Sequence, residues 1–251
     1  MLITYNDIHY YGQPVSETDL YTHVHFPEMK NYYSGNFIQF KTMPTLNEFH
    51  STAIYLLNFH KLNGQNHIQF YFPPNQKPTN ELMNVFNREN YQCSFTELYA
   101  IRPNQFISRN VNPDVAVYPV EEESFPTYLK IQYEFDSQFG EQFADNKAII
   151  HEQNFHNTSV LQLLGYYKGD PVGTVDCIIR DHMVEIDSLG VLEQFRSLSV
   201  GTCLQKYVMD HFPDKMVILV ADGEDTPREM YQKQNYQYYG FRYEVLKVDE
   251  E

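Results

Sequence analysis

The fold of this chain is decided by the stretch Gly190-Val191-Leu192-Glu193-Gln194-Phe195-Arg196-Ser197-Leu198-Ser199-Val200-Gly201-Thr202-Cys203-Leu204. It follows an alternating strand pattern and leads directly into an amphipathic helix pattern. A turn from strand to helix leaves backbone N–H groups without internal partners, and the helix dipole adds positive charge there. Arg196 contributes a fixed charge, and small residues let phosphate oxygens approach the main chain, namely Ser197, Ser199, Gly201 and Thr202. The stretch is therefore predicted to bind a diphosphate.

The spacing within this turn is not that of the common nucleotide-binding loops. The chain has no Gly-x-x-x-x-Gly-Lys-Ser/Thr, and no Gly-x-Gly-x-x-Gly that opens a βαβ unit. Instead, Arg196-Ser197-Leu198-Ser199-Val200-Gly201 resembles the acetyl-CoA loop of the GNAT superfamily of N-acetyltransferases, Gln/Arg-x-x-Gly-x-Gly/Ala. Ser199 stands where the family usually has its first glycine. The resemblance implies that acetyl-CoA binds along the strand end and the loop, at Leu189, Gly190, Val191, Arg196, Ser197, Ser199, Val200, Gly201 and Thr202.

A second motif lies downstream and resembles the closing segment of the same family. Thr226-Pro227-Arg228-Glu229 has the form of a capping box with proline at the first helical position. The helix that follows carries Met230-Tyr231-Gln232-Lys233-Gln234-Asn235-Tyr236, which is similar to the family's Leu-Tyr-x-Lys-x-Gly-Phe. Tyr231 lies at the family tyrosine, and Asn235 tolerates the left-handed conformation that a helix end needs. The resemblance therefore covers residues 105–251.

The composition indicates a folded, acidic chain of one or two domains. Its 251 residues are 42% hydrophobic and 16% aromatic, and the formal net charge is −15. This charge argues against nucleic-acid binding, and it is compatible with a cationic substrate or simply with solubility. Cys93, Cys177 and Cys203 have no paired spacing, which favours a reducing compartment and buried thiols. Because no signal peptide or membrane-length apolar segment is recognisable, we expect a cytoplasmic protein that does not bind membranes.

The second half of the chain alternates between strand and helix patterns. Strands are predicted at residues 115–120, 160–167, 172–179, 183–191, 216–221, 236–239 and 241–248. Helices are predicted at residues 128–135, 142–155 and 199–211 and after Thr226, and Tyr167-Lys168-Gly169-Asp170 is typical of a tight hairpin turn. This order is also that of the GNAT fold. The resemblance implies an α/β (α+β) fold whose mixed sheet is splayed at its centre and flanked by helices.

The first half contains a fainter pattern of the same kind. Residues 85–92 parallel residues 230–237, and they follow segments that resemble a strand, a helix and a strand, at residues 36–41, 46–62 and 67–72. An internal duplication explains this pattern, and so does chance similarity of two helix ends.

The diphosphate loop is missing from this first half. Residues 42–47 contain no glycine or arginine, Pro44 removes an N–H group, and Phe86 replaces the tyrosine. We therefore predict a degenerate GNAT-like domain at residues 1–104 and an acetyl-CoA-binding domain at residues 105–251. The boundary is expected within residues 102–113.

Acetyl transfer to an amine requires an anchored diphosphate, a base, a donor to the oxyanion and an acid for the thiolate. In this family a backbone N–H at the bulged strand end meets the oxyanion, which the resemblance assigns to Gly190 or Val191. Glu185 lies where several family members place a catalytic glutamate, and it shares one strand face with Asp187. Both carboxylates can equally be the solvated side of the strand, so the base is either Glu185 or water.

Tyr231 is the candidate acid for the departing thiolate, with core packing as the alternative for one of 21 tyrosines. His182 lies in a turn and His211 ends a helix, which favours surface or capping roles for both. No cluster of His, Cys, Asp and Glu has the spacing of metal ligands, and the chemistry needs no metal.

The sequence thus predicts an N-acetyltransferase that uses acetyl-CoA and transfers the acetyl group directly to an amine in a ternary complex. Two alternatives stay open: a catalytically inactive GNAT-like CoA-binding or scaffold protein, and an acyltransferase that uses a longer acyl-CoA. The acceptor is expected to be a small-molecule or peptide amine, and a homodimer is compatible with the sequence.

Overall fold

The computed structural model of the protein describes residues 2–108, 111–224 and 227–249. Its chain divides into two units. The N-terminal unit comprises Met1–Leu98, Ala221–Thr226 and Tyr239–Glu251, and the C-terminal unit comprises Tyr99–Val220 and Pro227–Tyr238. Segments from the end of the sequence therefore complete the N-terminal unit.

The N-terminal unit is built on a mixed sheet. Its strands are β1 (Gln13–Glu17), β2 (Tyr21–His25), β3 (Phe37–Phe40), β4 (His67–Tyr71), most of β5 (Gln92–Ile101) and most of β11 (Gln237–Val248). Its helices are α1 (Leu46–Leu62) and α2 (Asn80–Arg88). The strand order is β1-β2-β3-β4-β11-β5, with β3 parallel to β4 and β4 antiparallel to β11. An aromatic core joins helices and strands, in which Phe49 of α1 packs on Phe70 of β4 and on Phe86 of α2.

The C-terminal unit also combines parallel and antiparallel strands. Its strands are β6 (Val115–Pro119), β7 (Val160–Tyr167), β8 (Asp170–Ile179), β9 (Met183–Val191) and most of β10 (Met216–Asp222), in the order β10-β9-β8-β7-β6. Its helices are α3 (Phe125–Asp136), α4 (Glu141–Phe155), α5 (Val200–His211) and α6 (Pro227–Lys233). β6 to β9 pair antiparallel, and β9 and β10 are parallel. The predicted α/β fold class is confirmed.

One element of the prediction is wrong. Two final strands were expected on either side of Gly240, whereas the single strand β11 runs through this position. Gly240 has a φ of 137°, a conformation that glycine adopts without steric cost. The Oδ1 of Asn75 accepts the N–H of the next residue, Phe241, at 3.1 Å. The glycine therefore marks a local kink that a neighbouring side chain stabilises, and the strand does not end there.

The sheet of the C-terminal unit opens between β9 and β10. Their register pairs Met183 with Met216, Val184 with Val217 and Glu185 with Ile218. β9 then continues to Val191, beyond the last of these pairs. The edge of β9 after Glu185 is thus free of pairing with β10 in the described register, which leaves main-chain groups available at the centre of the sheet.

Four buried histidines lie in the core of the N-terminal unit. His23, His60 and His67 are almost completely inaccessible, and His25 is 7% exposed. The rings of His23 and His60 lie 6.2 Å apart, and those of His60 and His67 lie 4.7 Å apart. Each ring has one nitrogen without a hydrogen-bond partner among the residues that the structure describes. Neutral rings are favoured in this environment, because burial disfavours the charged form.

We expect acid to destabilise the N-terminal unit well above the pH at which carboxylates titrate. Burial lowers the pKa of His23 and of His60 to about 4 and the pKa of His67 to about 3. Unfolded histidines have a pKa near 6.5, so their contribution to stability is complete above that pH and is lost as the pH falls toward 4. The loss at pH 5 is about 1–2 kcal/mol for each histidine.

Urea unfolding followed by far-ultraviolet circular dichroism at pH 7 and pH 5 measures this loss. His23→Phe should flatten the dependence of unfolding free energy on pH, whereas His182→Gln, which changes an exposed histidine, should leave it unchanged. Identical pH dependence in the two variants would contradict the prediction.

Candidate functional site

A β-bulge interrupts β9 close to its end. Asp187 lies opposite Asp176 of β8, and Gly190 lies opposite Thr174, so β9 has one more residue than β8 between these positions. Ser188 has a φ of 50°, and its N–H donates to Oδ1 of Asp187 at 2.8 Å. The bulge therefore lies within the strand segment that precedes the predicted cofactor loop.

Beyond the bulge, the main chain of Val191 points away from β8. The N–H of Leu192 donates to the carbonyl of Val172 at 2.9 Å. Main-chain groups alternate in direction along a strand, so those of Val191 and Leu189 point to the edge that β10 leaves unpaired, and those of Gly190 point to β8. Of the two residues considered for the oxyanion, this geometry favours Val191.

The loop after β9 leads into an open helix N-terminus. In the first turn of α5, the N–H of Cys203 donates to the carbonyl of Ser199 at 2.9 Å. The N–H groups of Val200, Gly201 and Thr202 precede it, and a helix provides no partner for such groups. Ser199 is the N-cap, and its side chain makes no capping hydrogen bond to any part of the chain that the structure describes. These N–H groups are thus directed toward the position where the loop would receive an anion.

Gly201 leaves open space over this helix start. A Cβ atom there would meet only Cγ2 of Val191 among the described residues, at the ordinary contact distance of 3.8 Å. Packing within the protein therefore does not require a glycine. Arg196 is exposed, and its Nε lies 3.4 Å from the carbonyl oxygen of Val191. The bare main chain and the adjacent guanidinium fit a diphosphate.

At the start of α1, the corresponding helix of the N-terminal unit, side chains already accept hydrogen bonds from the main chain. Thr45 and Glu48 form a capping box at the start of α1, in which Thr45 Oγ1 accepts the N–H of Glu48 at 3.3 Å. Oε2 of Glu48 accepts the N–H of Thr45 at 2.7 Å. Side chains of the protein thus occupy the position that is open at α5, which supports a single anion site.

Ser199 adopts the left-handed region, with a φ of 66°. A side chain makes this conformation costly by about 1 kcal/mol, and glycine avoids the cost. This is the physical reason why a glycine suits the position. Ser197 has the same φ of 66°.

We expect Ser199→Gly to raise the free energy of unfolding by up to about 1 kcal/mol, because it removes the strain without removing a cap bond. Chemical denaturation measures the change. Ser199→Ala is the matched control, since it keeps the Cβ atom and loses only the hydroxyl, and it should not stabilise the protein. Equal stabilisation by glycine and alanine would contradict this explanation.

Tyr231 lies on α6 and is 8% exposed. Its ring lies 5.4 Å from the ring of Tyr99 and 5.4 Å from that of Tyr236. The residue that follows α6 contacts the start of α5, because Gln234 Nε2 donates to Thr202 Oγ1 at 3.3 Å. The structure thus brings the two sequence motifs together. The predicted N-cap of this helix, Thr226, lies outside the described residues.

The two carboxylates of β9 have different surroundings. Glu185 is 6% exposed, and its Oε2 lies 3.8 Å from Nη2 of Arg180. Asp187 is half-buried on the same face of the strand. His182 and His211 are both exposed.

A buried polar cluster under α3 and α4 was missed in the sequence. It comprises Tyr128, Gln132, Asp136, His151, Gln162 and Asp176. The Tyr128 hydroxyl donates to Oδ1 of Asp176 at 2.5 Å and accepts from Gln132 Nε2 at 2.9 Å and from Gln162 Nε2 at 3.1 Å. His151 Nε2 lies 3.0 Å from Oδ2 of Asp136. Two features of the sequence could have indicated this cluster: Asp176 lies within an otherwise apolar strand, and Tyr128 and Gln132 have the i, i+4 spacing of neighbours on a helix.

Family profiles match both halves of the chain. Residues 120–236 match the acetyltransferase (GNAT) family. Residues 3–99 match a domain of unknown function, DUF5613. Among curated proteins, no similar sequence was found.

Solved structures resemble the chain over most of its length. A functionally unknown conserved protein from Staphylococcus epidermidis is 31% identical, with a TM-score of 0.92 over 99% of this chain and 98% of that one. A GCN5-related N-acetyltransferase from Kribbella flavida is 14% identical, with a TM-score of 0.61 over 96% and 91% of the two chains. A tandem GNAT protein from the clavulanic acid biosynthesis pathway is 7% identical, with a TM-score of 0.52 over 84% and 75%. The similarity to the last two structures shows that this chain shares their fold.

The described residues hold neither a cluster of metal ligands nor a helix of membrane-spanning character. They contain no group of three or more His, Cys, Asp or Glu side chains that can hold a metal ion. None of their helices is long and apolar enough to cross a membrane.

Proposed function

Residues 120–236 belong to the acetyltransferase (GNAT) family, and from this membership we propose that the protein is an N-acetyltransferase that uses acetyl-CoA. The family fold supports acyl transfer in general. The observation that carries the specific proposal is the uncapped start of α5, where free N–H groups, a bare glycine and Arg196 lie together. A diphosphate is the ligand that this arrangement suits.

In the proposed complex, the loop from Arg196 to Thr202 holds the diphosphate. Leu189 and Val191 offer main-chain groups to the pantetheine arm, as a neighbouring strand would. Acetyl-CoA supplies the activated thioester. The Val191 N–H stabilises the negative charge that builds on the thioester oxygen, because a fixed dipole needs no reorganisation during the reaction.

Two side chains are proposed to move protons. Tyr231 protonates the departing thiolate, which its place on α6 beside the start of α5 supports. Glu185 removes a proton from the acceptor ammonium, directly or through water. If so, Glu185→Gln should slow turnover most at low pH, where the amine is hardest to deprotonate.

The acceptor is proposed to be a small-molecule or peptide amine. The net charge of −15 favours a cationic acceptor through long-range attraction. A reducing, cytoplasmic setting is proposed from the cysteines, because Cys93, Cys177 and Cys203 are all free thiols.

Calorimetry with acetyl-CoA, followed by thiol release over a panel of amines, tests the proposal. We expect one molecule to bind per chain and at least one amine to release CoA. Binding without turnover would indicate a CoA-binding scaffold, and tighter binding or faster turnover of a longer acyl-CoA would indicate a different acyl donor. Absence of binding would refute the proposal. A second site, lost on substitution of residues 42–47, would show that α1 also binds the ligand.

A further inference from the structure

The buried polar cluster connects the bulge of β9 with the outer end of α3. We propose that it provides a proton exit path for the acceptor amine, formed by Asp187, Asp176, Tyr128, His151 and Asp136. The inference rests on the proposed function, since only acyl transfer to an amine would release the proton that the path carries.

The path begins at the bulge. Asp187 is directly opposite Asp176 in the register of β9 and β8, which brings their Cβ atoms to about 5 Å and their side chains to one face. Asp187 is half-buried, whereas Asp176 is 2% exposed. Because Asp187 shares its strand face with Glu185, it lies next to the proposed base.

The middle of the path is a tyrosine hydroxyl. Tyr128 is fully buried, and its hydroxyl lies 2.5 Å from Oδ1 of Asp176 and 3.3 Å from Nδ1 of His151. When Asp176 carries the proton, it can donate to the phenol oxygen in place of one of the two glutamine amides, while the phenol donates to His151. The hydroxyl thus bridges a carboxylate and an imidazole, of which Oδ2 of Asp176 and Nδ1 of His151 lie 3.9 Å apart.

The path ends at the edge of α3. Nε2 of His151 lies 3.0 Å from Oδ2 of Asp136, and the Asp136 side chain is 13% exposed. Asp136 is the last residue of α3 and is followed by an exposed serine, Ser137. His151 can therefore accept a proton at Nδ1 and release one at Nε2, toward a carboxylate that reaches solvent.

The proton balance of the reaction requires such an exit. An ammonium that becomes an amide loses two protons, of which one protonates the thiolate. The other must leave the site, so one proton would pass along the path in each turnover. No oxidant, reductant or further reactant is needed.

The charges around the cluster suit this role. Burial raises the pKa of Asp176, an effect that His151, the Tyr128 hydroxyl and Lys147 of α4 oppose and that the charge of Asp187 reinforces. A carboxylate that protonates readily can pass a proton on as well as receive one. A cluster that only stabilised the fold would need hydrogen bonds, but it would not need a continuous series of titratable groups from β9 to solvent.

The test compares two variants at the outer end of the path, where His151 contacts Asp136. Asp136→Asn keeps the shape of a partly exposed side chain, and His151→Gln removes the imidazole. We expect kcat to fall about tenfold or more in both, with the KM for the best amine of the panel unchanged. High concentrations of imidazole buffer should restore the rate, because a mobile base can replace the lost exit. The wild-type rate should not depend on buffer concentration.

Gln132→Met is the matched control, since it removes a hydrogen bond to the same Tyr128 hydroxyl and no titratable group. Its rate should not depend on buffer. Wild-type rates in Asp136→Asn, or slow rates that no buffer restores, would overturn the exit path, and Asp136→Asn decides the matter if His151→Gln does not fold. Failure of the wild-type protein to acetylate any amine would instead refute the proposed function.

Discussion

A Gly201→Asp variant is expected to fold normally and to lose binding of acetyl-CoA. The helix start has room for the side chain, because a Cβ atom at this position meets Val191 at 3.8 Å. A carboxylate in the first turn of α5 also interacts favourably with the helix dipole. The same carboxylate would fill the space over the free N–H groups and repel the diphosphate. We therefore expect the stability of the protein to be unchanged or slightly higher, while its affinity for acetyl-CoA is lost.

Calorimetry with acetyl-CoA and thermal unfolding, measured on the same samples, test this expectation. Gly201→Ala is the matched control, since it adds only the Cβ atom and should weaken binding much less. Arg196→Ala should weaken binding by about 1–3 kcal/mol, the scale for a lost charged hydrogen bond. If folded Gly201→Asp bound acetyl-CoA with unchanged affinity, the proposal that this loop binds the diphosphate would be wrong.

Removal of the Tyr231 hydroxyl should reduce turnover while leaving affinity for acetyl-CoA nearly unchanged. In Tyr231→Phe, the ring can still pack between Tyr99 and Tyr236, so α6 should keep its place. Only the proton donor to the thiolate is lost. General acid catalysis contributes on the order of 10²-fold or more, so a decrease in kcat of this size is expected if chemistry limits the rate.

Tyr236→Phe is the control for this experiment. Tyr236 is also buried, and its hydroxyl donates to Oε1 of Gln205 at 2.8 Å. Its substitution removes a phenol next to Tyr231 without removing the proposed acid, so stability should fall and the chemical step should not. Similar rates for wild type and Tyr231→Phe would reduce Tyr231 to a packing residue.

Much of the C-terminal unit could be predicted from local sequence. The strand Met183–Val191 has the predicted bounds, and α5 begins directly after Ser199. Lys168 and Gly169 form the predicted hairpin turn with φ values of 52° and 93°. Periodicity and turn residues decide such features, because they depend on interactions within a few residues.

The first half was harder to predict. β1, β2 and β5 were not predicted, although α1 has the predicted bounds 46–62. The strand β4 pairs with β3 and with β11, which lies about 175 residues later in the chain. Local patterns contain no information on such partners. The predicted boundary between residues 1–104 and 105–251 stays a prediction.

What the sequence determined by itself was the strand, turn and helix of the cofactor loop and the family to which residues 120–236 belong. Only the tertiary structure decided which main-chain groups are free and which carboxylates are neighbours. Val191 is available because β9 continues past its last pair with β10, and Asp176 faces Asp187 because of the register of β8 and β9. Both facts come from pairing between strands, which is set by packing across the whole sheet and not by any short segment.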